Sequence, residues 1–215
     1  NMYQMVDLTG KQILITGASS GMGAETARLC AKLGAKVILV ARNEEKLSTV
    51  LHELEGEGHR YYSFDLSNVE EIENFIKNMI AETGPLDGFV HSAGVTSTRP
   101  LKTLKPSALL AVMNINYFSF VEIIRCITKR NCFCKGLSII GLSSISAKVG
   151  NQSKTAYAGS KGALDASVRC LAKELAGKGI RVNTVNPALI KTDIYQQFLD
   201  NSGDSEDARD ILRRQ

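Results

Sequence analysis

Short apolar runs alternate with helix-length segments along most of this 215-residue chain. Each run is apolar on both faces, which is typical of strands in a parallel sheet that helices cover on both sides. Since crossovers between parallel strands are right-handed, the pattern predicts a doubly wound, three-layer α/β/α fold. The expected strands are 11–16, 36–41, 60–64, 87–92, 137–143 and 180–186, and the expected helices are 21–33, 43–55, 67–82, 106–129 and 153–177.

Composition excludes several classes of protein. The 26 basic and 22 acidic residues are scattered along the chain and leave a net charge of +4, which does not favour a nucleic-acid partner. No apolar run reaches the roughly 18 residues that span a membrane, and residues 1–11 show no secretory signal. Five Cys and three His form no metal-ligand spacing, so we expect reduced thiols and no metal in a cytoplasmic, single-domain protein covering residues 1–215.

A glycine-rich turn, Thr16-Gly17-Ala18-Ser19-Ser20-Gly21-Met22-Gly23, joins the first expected strand to the first expected helix. Glycine permits the unusual backbone angles of such a turn and lets the chain approach a phosphate closely. The N-terminus of the following helix offers free N–H groups and a positive dipole end to a pyrophosphate. The spacing is GxxxGxG rather than GxGxxG, and the turn lacks the Lys of a Walker-type site. It indicates a dinucleotide site, although a purely structural turn would use the same residues.

The end of the second expected strand bears on the type of dinucleotide. Enzymes that prefer NAD place an Asp or Glu near this point, to accept hydrogen bonds from the ribose 2′-hydroxyl. Here Ala41 is followed by Arg42, whose planar guanidinium suits a 2′-phosphate and can stack on adenine. The sequence therefore predicts NADP(H) rather than NAD(H). The alternative is that Arg42 is a solvated residue at the start of the next helix.

Tyr157 and Lys161 lie four residues apart in an expected helix, so their side chains share one face. A nearby ammonium favours the phenolate and lowers the pKa of a Tyr from about 10, which acid/base work near neutral pH requires. Such a pair alone is common on protein surfaces. Ser144, however, ends the fifth expected strand, where α/β sheets place ligands, while alternation points Ser143 the other way. The three residues predict a Tyr acid/base with a serine beside the substrate oxygen.

In this combination the chain resembles the short-chain dehydrogenase/reductase family, including its members that are 3-oxoacyl-carrier-protein reductases. The likeness runs from residue 8 to residue 192 in the family's order and implies a Rossmann-like fold. It rests on the glycine turn and the Tyr-Lys pair, together with Asp65-Leu66, Ser92-Ala93-Gly94, Asn116, Ser144, and Pro187 to Thr192.

The resemblance implies a catalytic role for four residues. Tyr157 would exchange a proton with the substrate oxygen, and Ser144 would orient that oxygen. Lys161 would lower the pKa of Tyr157 and bind the nicotinamide ribose. Asn116 would hold a water that links Lys161 to solvent, and its neighbour Asn114 fits the family pattern less well.

The resemblance also implies cofactor contacts. Asp65 would accept a hydrogen bond from the adenine amino group beside Leu66, while Ile190 and Thr192 would hold the carboxamide. The other expected contacts are Gly17, Ser19, Ser20, Gly21, Met22, Gly23, Arg42, Ser92, Ala93, Gly94, Tyr157, Lys161, Pro187 and Ala188.

Three departures from the family pattern carry expectations of their own. The family's Asn-Ala-Gly is Ser92-Ala93-Gly94 here, which changes one strand-stabilising side chain. The family's Pro-Gly is Pro187-Ala188, which would tighten the backbone near the nicotinamide. We also expect the chain to lack the family's usual last strand, so that residues 193–215 would form a partial substrate lid.

The resulting prediction is an NADP(H)-dependent oxidoreductase that interconverts a ketone and a secondary alcohol. One alternative is a 3-oxoacyl-carrier-protein reductase of fatty acid synthesis, because Lys135 and Lys178 fall where such reductases meet an acidic carrier; ordinary surface lysines explain them equally well. A second alternative is a non-catalytic dinucleotide-binding regulator, whose hallmark would be a missing Tyr or Lys. The resemblance also implies a homodimer or homotetramer that pairs through helices 106–129 and 153–177.

Overall fold

The computed structural model describes residues 6–188 and residue 190. Within that part of the chain, six parallel strands form one sheet in the order β3-β2-β1-β4-β5-β6. The strands are β1 (Gln12–Thr16), β2 (Lys36–Ala41), β3 (Arg60–Ser63), β4 (Leu86–His91), β5 (Phe133–Leu142) and β6 (Arg181–Val185). The predicted parallel α/β sheet is therefore confirmed.

Two helical layers cover the sheet. The helices are α1 (Gly21–Lys32), α2 (Glu44–His52), α3 (Ile72–Thr83), α4 (Pro106–Met113), α5 (Ser119–Ile127) and α6 (Thr155–Leu175). Apolar residues of α1 and α2 form one core with Ile13 and Ile15, whereas α3, α5 and α6 form the other core around Leu14 and Phe89. Alternate side chains of β1 thus enter opposite cores, which is the expected pattern for a strand buried on both faces.

The strand order reverses direction at β1. The chain first builds β2 and β3 on one side of β1, then returns to lay β4 on the other side. Because every crossover is right-handed, this reversal moves the later helices to the opposite face of the sheet. The loops after β1 and β4 therefore diverge, and a crevice opens at the carboxyl ends of these strands.

The expected helix 106–129 is not a regular α-helix. It consists of α4, a π-helical turn (Asn114–Phe118) and α5, which ends at Ile127. π-turns inside α-helices are rare and occur frequently at functional sites. Elsewhere, residues 69–71 form a 3₁₀ turn ahead of α3, and β5 begins at Phe133 instead of Leu137, with a shift in its register against β4.

The expectation that no apolar run is long enough to span a membrane is wrong for one segment, because helix 106–127 has the length and apolar composition that could cross one. Its buried residues Phe120, Ile123 and Ile127 belong to the core beside the sheet. Its middle carries the fully buried Asn116. The segment is therefore built as a core helix of this fold, with Leu109, Leu110 and Phe118 on its exposed side.

Two expectations concern residues outside the described part of the chain. Thr192 and the proposed lid 193–215 both lie there, so their placement and the expected lack of a last strand stay predictions.

Candidate active site

The glycine turn is shaped by contacts that only glycine permits. Gly17 has a φ of +67°, and a Cβ at this position would lie 2.6 Å from the Ala93 nitrogen. A Cβ on Gly23 would lie 2.2 Å from the Gly17 carbonyl oxygen. The turn therefore packs backbone against backbone, and α1 begins directly beneath it. No side chain caps the N-terminus of α1 and its first turn is free of acidic residues, which leaves a positive end suited to an anion.

A cleft of about 720 Å³ opens above this turn, at the crevice between β1 and β4. It brings together eleven of the residues predicted to bind cofactor, which are Gly17, Ser19, Ser20, Gly21, Met22, Arg42, Asp65, Leu66, Ser92, Ala93 and Gly94. Gly23 is buried behind the turn and acts through the backbone of Gly17. The cleft is long, polar at its rim and close to glycine backbone, so the residues present fit a dinucleotide.

Arg42 and Lys46 form a cationic rim at one end of the cleft. Asn43 sets their geometry, because its side-chain oxygen accepts a 2.8 Å hydrogen bond from the Lys46 backbone nitrogen and begins α2. Opposite them, Asp65 also lines the cleft, with one carboxylate oxygen 2.9 Å from the Ser67 nitrogen. The absence of an acidic residue directly after β2 leaves this rim suited to an added phosphate.

Gly94 joins the cleft to the catalytic residues. It lines the cleft, and a Cβ built on it would lie 3.4 Å from both the Lys161 Nζ and the Asn116 Oδ1. The two groups that sequence reasoning placed in different motifs are therefore neighbours across one glycine. An alanine Cβ at this position would contact both groups, and a larger side chain would clash with them.

Asn116 occupies the π-turn and is fully buried. Its side chain accepts a 2.8 Å hydrogen bond from the Val95 nitrogen and donates one of 3.0 Å back to the Val95 carbonyl. Its amide also donates to the Ser160 Oγ at 2.9 Å. This amide therefore holds the loop after Gly94 against α6; the predicted water relay is not tested by these contacts.

Ser144 and Tyr157 come together from different elements. Ser144 follows β5 and is 7% exposed, and its Oγ accepts a 3.1 Å hydrogen bond from the Ser146 nitrogen. Burial raises the pKa of the Tyr157 phenol above its usual value near 10, while a hydrogen bond with Ser144 lowers it part of the way back. Ser143 instead turns towards α6, where its hydroxyl donates to the Lys161 carbonyl at 3.3 Å.

Lys161 is 4% exposed and donates a 2.6 Å hydrogen bond to the Leu142 carbonyl. Its Nζ lies 5.9 Å from the centre of the Tyr157 ring. Burial lowers the pKa of Lys161 to about 8, against an opposing contribution from Asp165. The expectation that Lys161 lowers the Tyr157 pKa below 10 is wrong for this geometry, because burial of the phenol dominates and the ammonium is directed to a backbone carbonyl.

His91 ends β4 and is fully buried between Phe89 and Phe120. Its Nδ1 lies 2.9 Å from the Thr16 Oγ1, at the start of the glycine turn. Burial and the nearby Lys161 ammonium lower the pKa of His91 to about 3, so the ring is neutral. The Thr16 hydroxyl also accepts a 3.4 Å hydrogen bond from the Ala93 nitrogen. The contacts of Thr16 with His91 and Ala93 thereby connect the loop after β1 to the loop after β4, on the two sides of the crevice.

The loop after β6 completes the described part of the site. Pro187 accepts a 3.0 Å hydrogen bond from the Ile145 nitrogen, which places it beside the segment that follows Ser144. Ala188 and Ile190 follow it and are exposed; neither belongs to the lining of the cleft. In the described residues, no group of three His, Cys, Asp or Glu side chains comes together as a metal site.

Sequence reasoning missed several residues of the cleft. Lys46 carried a usable signal, since it lies one helical turn after Arg42. Val95 and Thr96 directly follow the motif that ends at Gly94. Phe64 and Ile115 gave no signal, because only folding brings β3 and the π-turn to the same cleft. The lining residues absent from the predicted cofactor contacts are Ala41, Asn43, Lys46, Phe64, Val95, Thr96 and Ile115.

Fold and site together define a dinucleotide-dependent oxidoreductase, and the comparisons agree. Residues 11–203 match the model of the short chain dehydrogenase family, and the chain belongs to this family. It is an oxidoreductase that acts on CH–OH groups with NAD(P).

Named relatives of several activities resemble the chain. It is 38% identical over 194 residues to the 3-oxoacyl-(acyl-carrier-protein) reductase FabG of Rickettsia prowazekii, covering 90% of this chain and 78% of that protein. It is 33% identical to an L-xylulose reductase of Caenorhabditis elegans, covering 97% and 82% of the two chains. Among solved structures, a dehydrogenase/reductase of Sinorhizobium meliloti 1021 is 31% identical with a TM-score of 0.84, covering 97% and 81%. A short chain dehydrogenase of Escherichia coli CFT073, solved with NADPH, is 29% identical with a TM-score of 0.81, covering 89% and 82%.

Proposed function

We propose that this enzyme uses NADP(H) to interconvert a ketone and a secondary alcohol, with Tyr157 as the general acid/base. The observation that carries the proposal is the junction at Gly94, where the dinucleotide-shaped cleft meets the buried Lys161 and Asn116. Bound NADPH would supply the hydride. A carbonyl carbon facing it would have Tyr157 and Ser144 beside its oxygen.

Each side chain contributes to this chemistry through its surroundings. In reduction, Tyr157 gives its proton to the carbonyl oxygen, and the Ser144 hydroxyl donates a hydrogen bond to the same oxygen. The raised pKa of Tyr157 keeps the phenol protonated at neutral pH, so a proton is present for reduction, and it makes the phenol a weaker acid than the sequence prediction required. Lys161 holds a positive charge next to the reacting groups, and its low exposure strengthens that field. Asn116 fixes the Val95 loop, which lines the cleft beside these groups.

The cationic rim supports NADP(H) over NAD(H). A 2′-phosphate would meet Arg42 and Lys46, and the position after β2 that would hold a competing carboxylate is occupied by Ala41 and Arg42. The turn residues Gly17, Ser19, Ser20, Gly21 and Met22 would hold the pyrophosphate, and Ile190 and Thr192 the carboxamide. The solved relative with NADPH favours the same assignment.

The experiment is a panel of ketones with either NADPH or NADH, together with direct binding measurements of both cofactors. We expect NADPH to bind more tightly, and Arg42→Ala to weaken NADPH by about tenfold because one charge-assisted contact is lost. NADH should be unaffected by that change. Arg169→Ala, at an exposed position of α6, is the control that should alter neither. A wild-type preference for NADH would contradict the assignment.

The FabG relatives favour one particular substrate class, a 3-oxoacyl group on an acidic carrier protein. The position of Lys135 and Lys178 does not strengthen this alternative within one subunit. Lys135 lies near the start of β5, and Lys178 precedes β6. Both therefore lie at the amino ends of the strands, whereas Ser144 follows the carboxyl end of β5, roughly 25 Å away along the strand. Charge reversal at both lysines, assayed on a carrier-bound substrate and on a small ketone, tests the alternative; equal loss on both substrates would defeat it.

We also propose that the enzyme is a cytoplasmic homodimer or homotetramer. Leu109, Leu110 and Phe118 form an exposed apolar side on helix 106–127, with Leu110 52% exposed. Such a side suits pairing with a second copy. Light scattering of the purified enzyme measures the assembly directly, and a monomer at micromolar concentration would refute the proposal.

A further inference from the structure

Helix α6 carries a third buried polar side chain on the face of Tyr157 and Lys161. Asp165 lies one turn beyond Lys161 and is 6% exposed. A buried carboxylate is costly unless it is hydrogen-bonded or paired, so its partners define what it does. The proposed mechanism gives it no role.

All the partners of Asp165 come from segments around the catalytic serine. Its Oδ2 accepts a 2.9 Å hydrogen bond from the Asn186 Nδ2 and lies 3.2 Å from the Lys148 Nζ. Burial raises the pKa of the Asp165 carboxyl, but the Asn186 amide and the Lys148 ammonium help to hold the pKa below its usual value. The carboxylate is therefore charged at neutral pH.

These contacts connect two loops to one helix. Lys148 lies in the loop that contains Ser144, and Asn186 leads into Pro187. The Asn186 amide also lies 3.5 Å from the Ser144 carbonyl. The ends of β5 and β6 are further joined by hydrogen bonds from Ser143 to Val185 and from Ile145 to Pro187.

We propose that Asp165 is a positioning residue that fixes the Ser144 loop and the Pro187 loop against the helix carrying Tyr157. It touches neither substrate nor cofactor. Its effect is on the distance between the Ser144 hydroxyl and the Tyr157 phenol, which come from separate elements and must meet at one substrate oxygen. The inference rests on the proposed function for its catalytic consequence, whereas the bracing itself is a property of the fold.

The test compares Asp165→Asn with a matched carboxylate at the amino end of the strands, on the interior strand β4. Asp87 is 15% exposed, pairs with the Lys11 Nζ at 3.1 Å and accepts a hydrogen bond from the Gln12 nitrogen at 3.0 Å. Asp87→Asn therefore removes a similar charge far from Ser144. Lys148→Met, at a residue 61% exposed, breaks the same brace from its solvent side and avoids any folding defect caused by a change in the core.

We expect Asp165→Asn to lower kcat by about 10- to 100-fold, with the KM for NADPH changed by less than about threefold, because a small misplacement of reacting groups costs this much. Lys148→Met should lower kcat by a smaller factor, about threefold, because it removes one of the two partners and leaves Asn186 in place. Asp87→Asn should lower Tm and leave kcat near the wild-type value.

Amide hydrogen exchange supplies a readout that does not depend on activity. In Asp165→Asn, the amides of Ser143 to Val149 should exchange faster, whereas Asp87→Asn should leave them protected. An unchanged kcat in Asp165→Asn, a loss no larger than that of Asp87→Asn, or unchanged exchange over 143–149 overturns the proposal. If the wild type reduces no ketone, the proposed function fails, and the exchange data alone then decide whether the brace exists.

Discussion

The two halves of the site differ in what shapes them: main-chain packing in one and buried polar side chains in the other. Around β1 and β2, backbone shapes the cofactor cleft: Gly17 approaches Ala93 and Gly23 approaches Gly17 at distances that no side chain would allow. Around β4 to β6, side chains from four elements hydrogen-bond to one another, with Asn116, Ser144 and Lys161 each less than a tenth exposed. The first half is specified by where glycines fall, and the second by which polar groups are buried together. The halves should therefore fail differently when altered.

Removal of the Tyr157 hydroxyl should produce the largest difference between the two halves, because it should lower turnover and leave NADPH binding almost unchanged. Tyr157→Phe deletes the proposed proton donor, and we expect turnover to fall by about 10³-fold, since a positioned acid/base contributes about 10²- to 10⁴-fold. Binding of NADPH should change little, because the glycine turn and its rim are untouched. NADPH fluorescence measures the binding, and the chain has no Trp to interfere.

Tyr62→Phe is the control for that change. It also removes a phenol hydroxyl, one that donates to Glu82 at 2.7 Å beside the edge strand β3. Turnover should survive in this variant. Normal turnover in Tyr157→Phe would refute the mechanism.

Gly17→Ala should damage the cofactor half through the backbone. The added Cβ meets Ala93 and Ser92 main-chain atoms at 2.6 and 2.7 Å, and the φ of +67° is itself unfavourable for alanine. We expect a loss of about 3 kcal/mol in the free energy of unfolding, together with loss of NADPH binding.

Gly159→Ala provides the matched comparison for the glycine change. Gly159 lies on α6, and a Cβ there would meet nothing within 4 Å. Alanine should stabilise that helix by about 0.5–1 kcal/mol. Chemical denaturation measures both values, and equal behaviour of the two variants would show that the close approach at Gly17 is unimportant.

His91 links the halves, and its titration should appear in stability. The pKa of the buried ring is about 3, against 6.5 when exposed. A base whose pKa falls on folding contributes stability above the unfolded pKa, and that stability is lost as pH falls from 6.5 towards 3. Between pH 7.5 and pH 5 we expect protonation of His91 in the unfolded state to lower the free energy of unfolding by about 2 kcal/mol.

His91→Asn keeps a polar partner for Thr16 but removes the titration. The variant should start less stable and lose about 2 kcal/mol less than the wild type over the same pH interval. Urea denaturation at the two pH values measures the difference. Parallel curves for the two proteins would count against a neutral buried His91.

Much of the fold was predictable because a strand buried on both faces must be apolar throughout, as Ile13-Leu14-Ile15 is. The start of β5 was not predictable. Its first residues include Lys135 and Gly136, and pairing with Leu86 of β4 extends the strand through them. The π-turn was missed for a similar reason, since the Val95 backbone holds Asn116 in place from a distant loop.

The site shows the same difference between features set by local sequence and features set by tertiary packing. Residues that were predicted to bind the cofactor because they follow one another in a motif, such as Ser92-Ala93-Gly94, line the cleft. Lys161 was found by its spacing from Tyr157, but the effect of burial on the Tyr157 pKa depends on tertiary packing and was predicted with the wrong sign. Asp165 was missed because its partners Lys148 and Asn186 come from loops that meet it only after folding.

The π-turn at Asn114–Phe118 accommodates one residue more than a regular helix would at that point. Deleting a residue there would restore ordinary helical geometry, yet it would also turn every following position by about 100° around the axis. Either Asn116 would leave Val95, or Phe120 and Ile123 would leave the core. The contacts of Asn116 and the core positions of Phe120 and Ile123 therefore fix the number of residues in this segment. Loops accept insertions and deletions readily, but the middle of this helix should not tolerate them.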